Sequence, residues 1–269
     1  MMRTVLRSLL AIGLLAAAPI ADAAGLVWSI PADGTSATYS GTFSQLVKRT
    51  DPTQQDVTLT WNRTIVIRSV GGEDVTYNGQ TVPARWIEIE QSTGTLDGGT
   101  VQAGPGGRII VKLLVPESAI SGGLVDDGGV PQSFLPAARG FRKIGDGPVE
   151  PIETAAFDPS PQITLLGQPQ SLAATGESGS VSVGGSTLNG EVWKGQTTTE
   201  SRRRQVITDT TLVKSPDSPF GPISWDVSTV TSEKQAVQPR SEFEETTKAS
   251  ESMQLVEISS GAISLLQTP

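Results

Sequence analysis

The sequence contains neither cysteine nor histidine. It can therefore form no disulfide bond, zinc finger or thiolate cluster, and no Ser-His-Asp or Cys-His catalytic centre. Acidic residues outnumber basic residues by 28 to 20. Because binding of nucleic acid requires clustered Lys and Arg, this balance predicts that nucleic acid is not a partner.

Long apolar runs are confined to the N-terminus. Arg3 and Arg7 precede an almost wholly apolar run at residues 9–20, and the Ala-Asp-Ala at residues 21–23 suits signal peptidase cleavage. The run is shorter than the roughly 20 residues that span a bilayer. We predict a signal peptide at residues 1–23 and a soluble mature protein in the periplasm or outside the cell, with no membrane span after cleavage.

The rest of the chain has the composition of a β protein, with β-branched runs separated by Gly, Pro and Asp. Residues 57–68 alternate between apolar and polar side chains, which predicts a strand with one buried face. Arg63 interrupts the apolar row and lies either at a sheet edge or in a polar patch of the interior. Residues 108–115 are apolar at nearly every position and predict a central strand covered on both sides. We predict an all-β, mainly antiparallel fold, as a curved sheet or half-barrel.

The alternation stops at residues 117–144. Phe134, Leu135 and Phe141 fall at helical spacing there, which predicts short helices at about residues 117–120 and 132–139, packed as an insertion on one face of the sheet. Residues 145–161 are rich in Pro, Gly and acidic residues and indicate a crossing loop or linker.

We predict one β-rich domain over residues 24–269. The alternative is two β subdomains, residues 24–146 and 162–269, joined by that linker.

Six motifs spread over most of the mature chain carry a resemblance to a known family. They are PADGT at 31–35, VPARWIEI at 82–89, LVPES at 114–118, FLP at 134–136, GFRKIG at 140–145 and PFGPISW at 219–225. They resemble a family of uncharacterised exported proteins of planctomycete bacteria. The family has no assigned activity, so the resemblance implies export and no particular chemistry.

The order of strands, helical insertion and strands is similar to that of LolA-type periplasmic lipoprotein carriers. Those proteins fold an antiparallel sheet into an open half-barrel, with helices as a lid over an apolar cavity. This chain lacks an obvious N-terminal helix, which departs from the pattern. The similarity is one of architecture and does not by itself carry function.

Several acidic residues lie in glycine-rich turns, at 97–99, 126–129 and 146–147. Calcium prefers such oxygen ligands, but no Asp-x-Asp-x-Asp-Gly loop is present and Asp-Gly is ordinary turn chemistry. We therefore predict turns, with neither a metal nor a cofactor.

Two charged motifs have a possible chemical role. Glu88 and Glu90 share a strand face with Trp86, and a glycosidase also uses a pair of carboxylates, but its catalytic acid and base normally come from separate elements. A solvated strand edge is favoured, and we predict that the protein is not an enzyme. The basic run at residues 202–204 would suit an anionic lipid, a polysaccharide or a membrane surface, although a solvated strand start is favoured.

The remaining candidates are apolar. The side chains predicted to line a cavity are Trp61, Trp86, Phe134, Leu135, Phe141 and Trp225. Core packing and ligand contact predict the same residue types at these positions. We predict an exported, non-enzymatic binding or carrier protein for a lipid or other apolar ligand. The alternative is a structural or adhesive cell-envelope protein with a filled core and no small-molecule site, so the two differ in whether the interior holds a cavity.

Overall fold

The computed structural model describes residues 25–49, 53–104, 106–119, 135–153, 155–167 and 171–267. The predicted signal peptide at residues 1–23 and the candidate residue Phe134 lie outside the described residues. Among those described, no helix is long and apolar enough to cross a membrane.

The regular secondary structure of the described chain is antiparallel β-sheet apart from two short 3₁₀ turns. The strands are β1 Ser36–Val47, β2 Val57–Tyr77, β3 Gln80–Asp97, β4 Thr100–Ala103, β5 Ile109–Pro116, β6 Leu135–Pro136, β7 Arg139–Ile144, β8 Glu150–Pro151, β9 Ala156–Phe157, β10 Ala173–Val183, β11 Ser186–Glu200, β12 Arg204–Lys214, β13 Pro222–Glu233 and β14 Glu244–Ser259. Short 3₁₀ turns occupy Glu117–Ala119 and Arg240–Glu242.

Twelve of these strands form one curved sheet that does not close. Its order is β10-β11-β12-β13-β14-β1-β2-β3-β5-β7-β8, with β4 paired to β3, while β6 and β9 form a separate two-stranded sheet. The last strand, β14, lies beside the first, β1, so strands from the two ends of the chain are hydrogen-bonded neighbours. The predicted all-β, antiparallel, curved sheet is confirmed.

A glycine permits the close approach of β1 and β14. Gly41 stands opposite Arg63 of β2 on one side and Met253 of β14 on the other. A Cβ atom at this position would lie 1.9 Å from the backbone oxygen of Ser252. Any other residue would therefore push β14 away from β1.

Residues on alternate positions of each strand divide between two faces of the sheet. The inner face is defined by Ile65 and Ile67 of β2 and by Ile87 and Ile89 of β3, all fully buried. Leu26 and Val27, before β1, pack into this core. The alternation predicted for β2 therefore holds from Trp61 onward, whereas Leu59, predicted on the same buried face, is 44 % exposed.

The outer face carries a second, smaller cluster. It contains Ala84, Trp86 and Leu114, with Phe141 packed against it. Strand β5 contributes to both clusters and is buried from its second residue to its last, which confirms the prediction of a strand covered on both sides.

The predicted helical insertion is wrong where the structure describes it. Glu117–Ala119 is a single 3₁₀ turn, and Leu135–Pro136 and Arg139–Ile144 are strands. Residues 120–134 lie outside the described residues. The helical spacing was misleading because β5 presents unpaired backbone groups at its edge, and β7 satisfies them by pairing with it. Pro136 also lacks the amide proton that a helix interior requires.

Candidate functional site

A groove of about 450 Å³ lies on the inner face beyond the filled core. Its walls are strands β11 to β14 on one side and the loop at residues 158–167 on the other. The lining residues are Thr197, Thr199, Arg204, Val206, Thr208, Thr210, Thr229, Thr231 and Ala249 from the sheet, and Asp158, Ser160, Pro161, Leu165 and Gly167 from the loop. We call this space the threonine groove.

The threonines are brought together by strand register. Thr197 of β11 stands opposite Thr208 of β12, which stands opposite Thr229 of β13. The hydroxyl oxygens of Thr208 and Thr229 are 3.1 Å apart and share a hydrogen bond. Each threonine adds a methyl group as well as a hydroxyl, so the floor of the groove is amphiphilic.

One hydroxyl in the groove has no partner. Thr210 is 3 % exposed, and its Oγ1 atom makes no hydrogen bond within the described part of the chain. Gly195 stands opposite Thr210 on β11 and offers no side chain to it. A buried hydroxyl of this kind costs free energy unless something else supplies its hydrogen bond.

The loop wall has its own internal hydrogen bonds. The amide of Ile163 donates to the Pro159 carbonyl at 2.7 Å, and the amide of Ser160 donates to the Asp158 carboxylate at 2.9 Å. Ile163 is fully buried, which ties the loop to the inner core. Burial raises the pKa of Asp158, and the Ser160 amide offsets part of that rise.

A buried carboxylate fixes this loop to the sheet. Glu251 of β14 is 1 % exposed and pairs with the Arg63 guanidinium. It also accepts hydrogen bonds from the hydroxyl of Thr164, from the amide of Leu165 at 3.2 Å and from Nε1 of Trp225 at 2.7 Å. Since every donor points at one carboxylate, the desolvation cost of burying the charge is offset by hydrogen bonds.

Like Glu251, the Arg63 side chain is held by several contacts within the protein. Its Nε donates to the Thr93 hydroxyl at 2.8 Å, and its guanidinium lies 4.2 Å from the centroid of the Phe43 ring. Of the two placements left open by the sequence, the structure shows the polar patch of the interior. The Arg63–Glu251 pair therefore positions the groove wall and leaves neither group free for chemistry.

The described residues among the predicted cavity lining lie in three places. Trp225 and Leu135 belong to the inner core. Trp86 and Phe141 are together on the outer face, with ring centroids 6.1 Å apart. Trp61 is half-buried and stacks on Phe43 at 5.8 Å. None of these five lines the threonine groove.

The acidic pair Glu88 and Glu90 shares the outer face, as its spacing predicts. The predicted solvated edge is wrong for both, because β3 lies between β2 and β5 and the two side chains are only 0 % and 13 % exposed. Glu88 is fully buried and accepts hydrogen bonds from the backbone amides of Leu265 and Leu266. Arg68 pairs with both carboxylates. The two carboxylates are thus occupied by the protein itself, and Glu88 docks its C-terminal segment.

The other charged motifs are the acidic turns and the basic run. Residues 97–99 and 146–147 lie at turns, and residues 126–129 fall outside the described ranges. The described residues hold no group of three or more Asp or Glu side chains placed to bind a metal. The basic run at residues 202–204 is exposed where β12 begins, and Arg204 lies at one end of the groove.

One sequence pattern, a repeated Thr-x-Thr, points to the threonines that line the groove. Thr-x-Thr occurs at residues 197–199, 208–210 and 229–231, each at the spacing that places both threonines on one strand face. The pattern does not show that the three segments are neighbours.

No protein-family model matches this chain, and no curated protein sequence shows significant similarity to it.

Proposed function

We propose that this chain is a non-enzymatic binding or carrier protein that holds a lipid or other apolar ligand in the threonine groove. The observation that carries the proposal is the groove itself, an open space of about 450 Å³ on the inner face of the sheet. Sites for small molecules typically have volumes of about 300–1,000 Å³.

The groove contrasts with the neighbouring part of the inner face. There, Leu26 and Val27 from the N-terminal side and Ile163 and Leu166 from the loop fill the space against the sheet. Protein interiors are close-packed, so a space that the described residues leave open beside a filled core is suited to another molecule. The exposed methyl groups of the threonines, with Val206 and Ala249, favour an occupant that is mainly apolar.

The wall of the groove is also fixed before any ligand arrives. Glu251 binds the loop through Thr164 and Leu165, and the same carboxylate is held by Arg63. A preformed wall lowers the entropic cost of binding. Hydroxyl and aliphatic groups dominate the lining and can orient a ligand, while the Asp158 carboxylate accepts a hydrogen bond from the Ser160 amide. This composition supports a binding role.

Export remains part of this proposal and rests on residues 1–23 of the sequence. A carrier for apolar molecules is useful where such molecules must cross water, as between membranes or outside the cell.

The test uses a neutral apolar dye, N-phenyl-1-naphthylamine, whose fluorescence rises in apolar surroundings. We expect the mature protein to bind it, and Thr208→Trp to abolish binding by filling the groove. Thr198→Trp is the matched control, because Thr198 is exposed on the opposite face of β11. Ala249→Leu is a milder filling variant, and unfolding curves of all three show whether the fold is retained.

Native mass spectrometry of protein purified from its own envelope complements this test. A co-purifying apolar molecule that is lost in Thr208→Trp supports the proposal. A protein without bound molecules that also takes up no dye refutes it. That result would favour the alternative, an adhesive or structural envelope protein, for which the filled inner core near β1 to β3 is the supporting observation.

A further inference from the structure

We infer that the ligand of the threonine groove is a single-chain amphiphile with an anionic headgroup, and that Arg204 binds the headgroup. This inference rests on the proposed function and specifies the class of ligand. Three observations carry it: an unpaired arginine at one end of the groove, the length of the groove and its volume.

The charge at the groove end is uncompensated. Arg204 is exposed and lines the groove, and its guanidinium makes no ion pair or hydrogen bond with any described residue. Its register partner across the sheet, Glu233 of β13, does not pair with it. Arginines elsewhere, such as Arg68 and Arg142, are engaged by carboxylates of the protein.

A free guanidinium at the mouth of a site suits a carboxylate or phosphate, which it can bind through two parallel hydrogen bonds. Arg202 and Arg203 precede it and are exposed as well, so three guanidinium groups lie close together at this end in a protein whose net charge is −8. Clustered positive charge of this kind attracts anions.

The groove is long. Arg204 and Thr210 both lie on β12 and both line the groove, six residues apart. At about 3.3 Å per residue they are separated by about 20 Å along the strand. One leaflet of a bilayer core is about 15 Å thick, half of the roughly 30 Å of the whole core. A membrane-length acyl chain with its headgroup therefore matches the distance.

The volume of the groove also limits its ligand. About 450 Å³ lies in the lower half of the roughly 300–1,000 Å³ that small-molecule sites occupy, and this favours one hydrocarbon chain over two. The ligand class is therefore a single-chain acid or phosphate, lying with its chain over the threonine methyl groups.

The experiment compares hexadecanoate, hexadecyl phosphate and hexadecan-1-ol as competitors of the bound dye, below their aggregation limits and above the pKa of the carboxylic acid. For the wild-type protein we expect at least one anionic probe to bind about tenfold more tightly than the alcohol, as one charge-assisted contact provides. The stronger of the two anions identifies the headgroup chemistry.

The variant Arg204→Gln should bring the anion and the alcohol to within about twofold of each other. Arg203→Gln is the matched control. It removes the same charge from the neighbouring residue, whose side chain does not line the groove. We expect it to keep most of the preference. Equal loss in both variants would overturn the assignment to Arg204.

Failure of the inference is distinguishable from failure of the proposed function. If the alcohol binds as tightly as both anions and Thr208→Trp blocks all three, the groove is a binding site but its ligand is not anionic. If no probe binds and the filling variant changes nothing, the proposed function fails as well.

Discussion

Replacement of Glu251 by glutamine tests the central claim about the groove wall. The side chain is 1 % exposed and receives donors from Arg63, Thr164, Leu165 and Trp225. Glutamine keeps the shape, but it removes the negative charge and turns an amide group toward these donors. The Arg63 guanidinium, whose side chain is 7 % exposed, then stays buried without its counter-charge.

The expected cost follows from that burial. Breaking a buried ion pair by removing one partner typically costs about 3–5 kcal/mol, because the remaining charge is desolvated and unpaired. We expect Glu251→Gln to lower the free energy of unfolding by this amount. The double variant Arg63→Met with Glu251→Gln should cost less than the sum of the single variants by at least about 1 kcal/mol, since it leaves no orphaned charge.

Urea unfolding with an unchanged m value measures these differences. Amide hydrogen exchange at Leu165 adds a local readout, because its amide donates to Glu251 and should lose protection when the carboxylate is gone. Glu150→Gln is the control, since its pair with Arg142 is exposed and is worth about 1 kcal/mol or less. A cost below about 1 kcal/mol for Glu251→Gln, or strict additivity in the double variant, would refute the reasoning.

Three further predictions concern the groove and the core. Thr210→Val should stabilise the ligand-free protein by about 1 kcal/mol, because it removes a buried hydroxyl that has no hydrogen-bond partner among the described residues. Thr208→Val should not stabilise it, since the Thr208 hydroxyl is hydrogen-bonded to Thr229. Urea unfolding of the two variants measures the difference, and equal destabilisation by both would contradict the prediction. Burial raises the pKa of Asp158, so the stability of the folded protein falls as the pH rises from about 3 through the ordinary Asp range. In a plot of melting temperature against pH, Asp158→Asn should flatten the slope in that range. An unchanged slope would show that Asp158 does not contribute. Leu113→Ala should cost about 2–5 kcal/mol as a fully buried core truncation, against well under 1 kcal/mol for the 57 % exposed Leu96→Ala, with thermal or urea unfolding as the measure.

The hydrophobic pattern within a single strand predicted burial correctly where burial depends on the side chains of that strand alone. The alternation in β2 predicted the inward-facing side chains from Trp61 onward, and the continuous apolar run of β5 predicted burial on both sides. The same kind of reasoning failed for Arg139–Ile144, where helical spacing of Phe141 with its neighbours was overridden by the need of β5 for a paired edge. A local period cannot report a requirement that another strand imposes.

The candidate site depended still more on distant partners. Five of the six predicted lining residues are described, and they divide among the inner core, the outer cluster and a stacked pair with Phe43. Large aromatic side chains do not distinguish the two roles, because they fill a core as readily as they line a cavity. The groove is instead lined by threonines, whose small side chains leave the space open.

By itself, the sequence determined the β-strand class, the two-faced character of its strands and the exclusion of cysteine and histidine chemistry, because these depend on composition and on neighbours two positions apart. Only the tertiary structure decided which strands meet. Arg63 and Glu251 are 188 positions apart, and Glu88 reaches the C-terminal segment across 177 positions to Leu265. Such contacts follow from strand order and register, which are fixed by the packing of the whole sheet and not by any local run of residues.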